Sequence, residues 1–328
     1  VRLRHQLLHL TMQKRKIGRS DLAVAPLGLG GNVFGWSADE KASFAVLDAF
    51  AAQGFNLIDT ADVYSTWVPG HHGGESETII GKWMKARGNR ADIVVTTKVG
   101  SEMGPGRKGL SSRYIKSAVE ASLGRLQTDY IDLYLSHWED PEADPEDTLG
   151  AYADLVKAGK VRVIGNSNHS AETMRKMLAI SARHGWPRFE NLQTHYNLYD
   201  RSGYEAELEA FCRENEIGVT SYFSLAKGFL SGKYRSRADF SKSAARGEGM
   251  DAYLNDRGLR ILAALDAVAK SRSATPAQVA IAWLIARPSL VAPIASATSV
   301  EQLRDLIKAA ELQLTAAEIE HLTQASIG

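Results

Sequence analysis

The chain has 328 residues, 44% hydrophobic and 23% charged, the profile of a globular protein of enzyme size. A net charge of +1, with acids and bases interspersed, gives no footprint for nucleic acid or an anionic membrane, and no run nears the ~18 apolar residues of a membrane span. The single cysteine, Cys212, excludes an internal disulfide framework, suits a reducing cytoplasm and reads as a packed helix residue.

Residues 1–12, V-R-L-R-H-Q-L-L-H-L-T-M, are basic and partly apolar, but His5, Gln6 and His9 break the run and no small-residue cleavage site follows. We read them as a disordered or non-native N-terminal extension, with Met12 as the natural start, and residues 13–328 as a single domain. Residues 14–17 and 22–26, around the turn Gly18-Arg19-Ser20-Asp21, predict a small hairpin. Leu27-Gly28-Leu29-Gly30-Gly31 then reads as a strand running into a glycine-rich mouth. From there strand and helix alternate. Helices are expected over 40–53, 75–85, 111–126, 145–158, 171–183, 203–215, 259–271, 277–286, 300–310 and 315–325. Strands are expected over 55–58, 92–97, 130–135, 161–165, 191–194, 217–221 and 290–294. The polar segment 231–258 interrupts the rhythm and reads as a surface loop or lid.

About eight strands, each followed by a helix and without a composition break, predict one (β/α)8 TIM barrel with an N-terminal hairpin and additional C-terminal helices. A doubly wound sheet would need G-x-G-x-x-G after the first strand, and Gly28-Leu29-Gly30 continues to Val33. In a barrel the C-terminal strand ends converge on one mouth. Here they deliver Asp59 followed by Tyr64, then Lys98, then His137. A buried Lys98 ammonium beside Tyr64 is expected to lower the phenol pKa from about 10, with Asp59 holding the lysine and His137 polarising a carbonyl oxygen. The competing reading makes Asp59 and Thr60 caps of the next helix. The paired His71-His72 lack a third ligand at metal spacing, so no metal is expected; Gly73-Gly74-Glu75-Ser76-Glu77 reads as a helix entry.

Six segments, G-F-N-L-I-D-T-A-D-V-Y, V-V-T-T-K-V-G, Y-I-D-L-Y-L-S-H-W, G-K-V-R-V-I-G-N-S-N, L-Q-T-H-Y-N-L and L-A-K-G-F-L-S-G-K-Y, fall on successive strands. Together they resemble the aldo-keto reductases, over roughly residues 14–314. The resemblance implies an NAD(P)-dependent oxidoreductase moving hydride between a nicotinamide cofactor and an aldehyde, ketone or the corresponding alcohol. It implies a catalytic tetrad of Asp59, Tyr64, Lys98 and His137, with Tyr64 as general acid or base. It further implies Ser167, Asn168 and Gln193 on the carboxamide, Tyr222 stacked on the nicotinamide, and Leu225, Ser296, Thr298 and Gln302 elsewhere along the cofactor. Ser296 and Thr298 stand where members often carry a basic residue for the 2′-phosphate, Leu306 replaces a frequent Asn, and the nearest cation is Arg304. NADPH is the family default, and because a 2′-phosphate wants paired positive charge these departures make NADH the alternative.

Phe34, Trp36, Trp67 and Trp138 suggest a pocket for a bulky apolar substrate such as a cyclic ketone or alcohol, with Phe34, Trp67 and Trp138 as its lining. The expected partner is a small carbonyl or alcohol, and the location cytoplasmic; the sequence is silent on oligomeric state. Two other classes stay open: a nicotinamide-binding subunit with slow or no turnover, and a barrel hydrolase or isomerase, which would leave Lys98 and Tyr64 unexplained.

Overall fold

A strand between a packed interior and a helical layer must be apolar on both faces, and V-V-T-T-K-V and I-D-L-Y-L-S are buried along their whole length. The computed structural model describes residues 13–242 and 247–328, so the expected extension at 1–12 lies outside the described residues. Two short strands, β1 (Arg15–Lys16) and β2 (Ala23–Val24), form an antiparallel hairpin. Eight parallel strands follow: β3 (Gly28–Gly30), β4 (Leu57–Asp59), β5 (Val94–Val99), β6 (Ile131–Ser136), β7 (Val161–Ser167), β8 (Phe189–His195), β9 (Gly218–Tyr222) and β10 (Leu290–Ala295). They close in sequence order, with β10 pairing β3, into the expected TIM barrel.

The helical layer comprises α1 (Glu40–Ala52), α2 (Glu75–Arg87), α3 (Ser112–Leu126), α4 (Pro145–Lys157), α5 (Ala171–His184), α6 (Ser202–Glu205), α7 (Leu208–Glu214), α8 (Asp256–Arg272), α9 (Pro276–Ile285), α10 (Val300–Glu311) and α11 (Ala316–Ala325). Local signals set their ends. Asp39, Ser111, Asp144 and Ser170 each cap a helix through a side-chain oxygen. Thr275 with Gln278 and Thr315 with Glu318 form capping boxes. The helix expected over 203–215 is instead two, α6 and α7. Glu205 is drawn inward by Tyr196 Oη (2.6 Å) and Arg201, and Glu207 turns out of helical geometry at φ −141°. The segment expected as a surface loop at 231–258 is anchored where it is described: Tyr234, Met250 and Tyr253 are buried in the core beside α8 and α9.

The hairpin closes the lower end. Ile17, Leu22 and Val24 pack into the barrel against Leu57, Val94, Leu133, Leu135, Val291 and Ala292. Asn56 pins it, its Oδ1 accepting from Ala25 N and its Nδ2 donating to Ala23 O, both at 3.0 Å. Arg15 donates to the carbonyls of Leu290 and Ile285, placing a cation at the C-terminus of α9.

Candidate active site

Side chains alternate across a strand, so every second residue of a barrel strand faces the interior. Starting from the apolar inner row at Leu57, Val94 and Leu133, the same parity brings Asp59, Lys98 and His137 inward at the upper mouth. Gln193 and Tyr222 arrive on their strands in the same way. The strand ends therefore converge polar groups that are far apart in sequence.

Lys98 is fully buried. Its Nζ donates to Asp59 Oδ2 (2.8 Å), Thr60 O (2.8 Å) and Tyr64 Oη (3.0 Å). Asp59 spends its other oxygen on Gln193 Nε2, at 2.7 Å. Asp59 is thus a partner of the lysine and not a helix cap, while Thr60 donates to Ser76 Oγ. The entry to α2 is made differently: Gly74 takes the N-cap position at φ +85°, where a Cβ would also strike Arg125. Burial works against the Lys98 charge, but Asp59 and then Tyr64 outweigh it and hold the ammonium above its ordinary value.

Tyr64 departs from expectation. Burial pushes its phenol up to about 12, and Asp59 pushes the same way; Lys98 pulls it down but does not win. The phenol is therefore protonated at neutral pH, correcting the expected lowering. Its contact with Asp59 Oδ2 is long, at 3.4 Å, so the carboxylate does not hold the phenolic proton. His137 is lowered to about 3 by burial and then by Lys98, which leaves a neutral imidazole. Its Nδ1 lies 3.0 Å from Ser101 Oγ, which accepts from Trp138 Nε1 at 3.1 Å. The Trp138 ring stacks on the imidazole, 5.6 Å between centroids.

Above these groups opens a cavity of about 390 Å³. Asp59, Tyr64, His137, Ser167, Asn168, Gln193, Tyr222, Leu225 and Ser296 all line it, as do Trp67 and Trp138. Asn168, at φ +58°, donates to His137 O and Ser167 Oγ and accepts from Tyr222 Oη at 2.7 Å. Behind Tyr222, His195 stacks at 5.4 Å and is fixed by Asp200 at 3.0 Å. Phe34, expected in the substrate pocket, is instead fully buried in the core and does not line the cavity: its ring belongs to the layer between barrel and helices. Trp36 stands one layer out, edge-on to Trp67. Thr298 and Gln302 do not line this cavity; they hydrogen-bond to each other at 3.0 Å on the exposed entry to α10.

Asn32 and Lys227 are among the lining residues that escaped the sequence reading. Asn32 accepts from Ser296 Oγ at 2.5 Å beside Gly30, where a Cβ would clash with that hydroxyl. Lys227 supplies a cation to the cavity from a left-handed backbone position, φ +57°. Its signal was present, a lysine within L-A-K-G-F-L directly after a strand end. Among the described residues, no group of three His, Cys, Asp or Glu could hold a metal, and no helix is long and apolar enough to cross a membrane.

Comparison with known proteins meets this geometry independently. The model of the aldo/keto reductase family matches residues 26–327. Protein tas of Escherichia coli (strain K12) is 32% identical, covering 95% of this chain and 98% of its own length. YrpG of Bacillus subtilis (strain 168), named an uncharacterized oxidoreductase, is 34% identical over 92% of each chain. Aldo-keto reductase yakc [NADP(+)] of Schizosaccharomyces pombe is 31% identical, covering 96% of this chain and 92% of the relative.

Proposed function

We propose that this chain, which belongs to the aldo/keto reductase family, moves hydride between NADPH and a small aldehyde or ketone, or the corresponding alcohol, with Tyr64 as the proton donor in reduction. The observation that carries the reading is a buried ammonium 3.0 Å from a phenol at the floor of a cavity.

The residues present fit a nicotinamide. Tyr222 offers an aromatic plane, and Gln193 lines the cavity with an amide oxygen that makes no hydrogen bond among the described residues. Ser167 and Asn168 add polar atoms for the carboxamide, and Leu225 with Lys227 continues the wall toward a phosphate-bearing portion. NADPH, when bound, supplies the hydride to the carbonyl carbon. Tyr64 gives its proton to the carbonyl oxygen, and the Lys98 ammonium stabilises the phenolate left behind; Asp59 keeps that ammonium charged and in place. In the tautomer this reading requires, Ser101 Oγ accepts from Trp138 and donates to His137 Nδ1, so that the imidazole proton sits on Nε2 and polarises the same oxygen. In alcohol oxidation the phenolate would take the proton back. With the phenol protonated at neutral pH, Tyr64 carries the proton that reduction requires.

Ser296, Thr298 and Gln302 are assigned to the adenosine end, where Arg304 is exposed and free of ion pairs among the described residues. Trp67 and Trp138, each about half exposed at the rim, favour an apolar, cyclic carbonyl compound. Titration with NADPH and, separately, NADH tests the reading through quenching of tryptophan fluorescence, since Trp67 and Trp138 line the cavity. Saturable quenching, tighter for NADPH, is expected. No quenching by either, in folded protein, overturns it.

A further inference from the structure

A second and larger cavity, about 750 Å³, lies on the outer flank of the barrel and shares no lining residue with the one above Tyr64. Its walls are the loop after β5, the length of α3, and Asp62 from the loop after β4. Four cations line it: Arg107, Lys108, Arg113 and Arg125. Arg125 is committed to buried Glu77 (2.6 Å) and to Ser122, and Arg107 donates to Met103 O. Lys108 and Arg113 make no hydrogen bond or ion pair among the described residues. Set into this cationic wall is Asp62, 2% exposed, whose Oδ1 has no hydrogen-bond partner among the described residues. A buried polar atom left unpaired is costly, and structures seldom keep one without a reason.

We propose that this cavity is a ligand site for a small molecule carrying an oxyanion, which Arg107, Lys108 and Arg113 engage by charge while the Asp62 carboxyl supplies a hydrogen bond from the cavity wall. Several cations around one concavity suit a multivalent anion, whose oxygens accept charge-assisted hydrogen bonds. The carboxyl is compatible with an anion because it is held neutral. Burial first, and then Glu77, push Asp62 up to about 8, against the opposing pull of Arg125, the Val63 N–H and Lys98. Arg107, Lys108, Arg113 and Tyr114 are the other charged or titratable groups of this wall, and Tyr114 stays protonated, pushed up to about 12. A protonated Asp62 donates to an oxyanion; an ionised one repels it. Affinity should therefore fall as pH rises through about 8.

Calorimetric titration with sulfate, whose charge is constant over this range, tests the site. Saturable binding is expected at pH 7, weaker by about tenfold at pH 9, the loss of protonated fraction for a group titrating near 8. The doubly charge-reversed variant Arg107→Glu/Arg113→Glu, altered only at exposed positions, should bind at least about tenfold more weakly. Asp62→Asn keeps a neutral donor, and its binding should no longer depend on pH. A parallel titration with malonate separates the sources: tighter sulfate binding points to a phosphoryl-type ligand, tighter malonate binding to a dicarboxylate. No saturable binding of either, or equal binding by the charge-reversed variant, overturns the proposal. So does sulfate binding that is lost in Lys227→Glu instead, because that anion sits in the other cavity. None of these readouts needs a nicotinamide, so failure here and failure of the oxidoreductase reading are distinguishable.

Discussion

The two ends of the barrel are built from the same strands and the same inward rows, and they carry opposite chemistry. At the lower end Leu57, Val94 and Leu133 meet Ile17, Leu22 and Val24 of the hairpin, and the interior there is filled and apolar. Two to four residues further along, the same rows hold Asp59, Lys98 and His137 around a cavity. Dense apolar packing stabilises the lower end. The upper end holds a buried ammonium and carboxylate whose mutual attraction offsets their desolvation only while both are present. One end supplies stability that the other can spend on function.

The sharpest way to separate the ends is Tyr64→Phe. It should lower kcat by about 10²–10⁴-fold, the scale of a positioned general acid, with little change in Tm. Lys98 still keeps Asp59 and Thr60 O as partners, and the ring still packs. Steady-state turnover alongside a melting curve checks both halves; a fully active variant would remove Tyr64 from the chemistry.

Lys98→Met should damage the upper end in both respects. It leaves Asp59 buried with only Gln193 as a strong partner, and should cost about 3–5 kcal/mol of stability as well as turnover. Urea denaturation of Lys98→Met, and of Lys98→Met/Asp59→Asn, measures this: the second substitution should restore part of the loss by removing the orphaned charge. Leu57→Ala, two residues before Asp59 on the same row, should cost about 2–5 kcal/mol while leaving kcat at 25 °C nearly unchanged. If its kcat falls as far as its stability, the two ends are not separable.

The smallest effect is in the pH dependence of stability. His137, lowered to about 3 in the folded state against an ordinary 6.5, binds fewer protons folded than unfolded between those values. Its contribution is therefore complete above about pH 6.5 and is lost as pH falls toward about 3. His137→Gln should flatten that part of the curve, seen as a smaller difference in urea midpoint between pH 7 and pH 5.

Much of this arrangement was legible from residue order. The barrel followed from the alternation of elements, and Asp59 and Lys98 from charged residues ending apolar runs, because a charge at the end of a buried strand is expensive unless it has a task; Tyr64 and His137 joined them as polar groups delivered to the same mouth. The Ser111 cap was legible because capping is a local property, whereas the Thr275–Gln278 capping box was not read from the sequence. Phe34 was misread because an aromatic beside a glycine-rich mouth can turn into either the cavity or the helical layer, and only the packing of the first loop decides. The single helix expected over 203–215 failed because its break is set by Glu205 reaching Tyr196 and Arg201.

By itself, then, the sequence determined the (β/α)8 fold, the strand ends that carry the site, and four residues that could do the chemistry, because hydrophobic periodicity and capping are local properties. Tertiary structure alone decided that Gln193 braces Asp59 from across the barrel, that Lys227 and Asn32 join the cavity, and that Asp62 faces a second one. It also decided the protonation state of Tyr64, since the balance between burial, a nearby ammonium and a nearby carboxylate depends on distances that residue order does not contain.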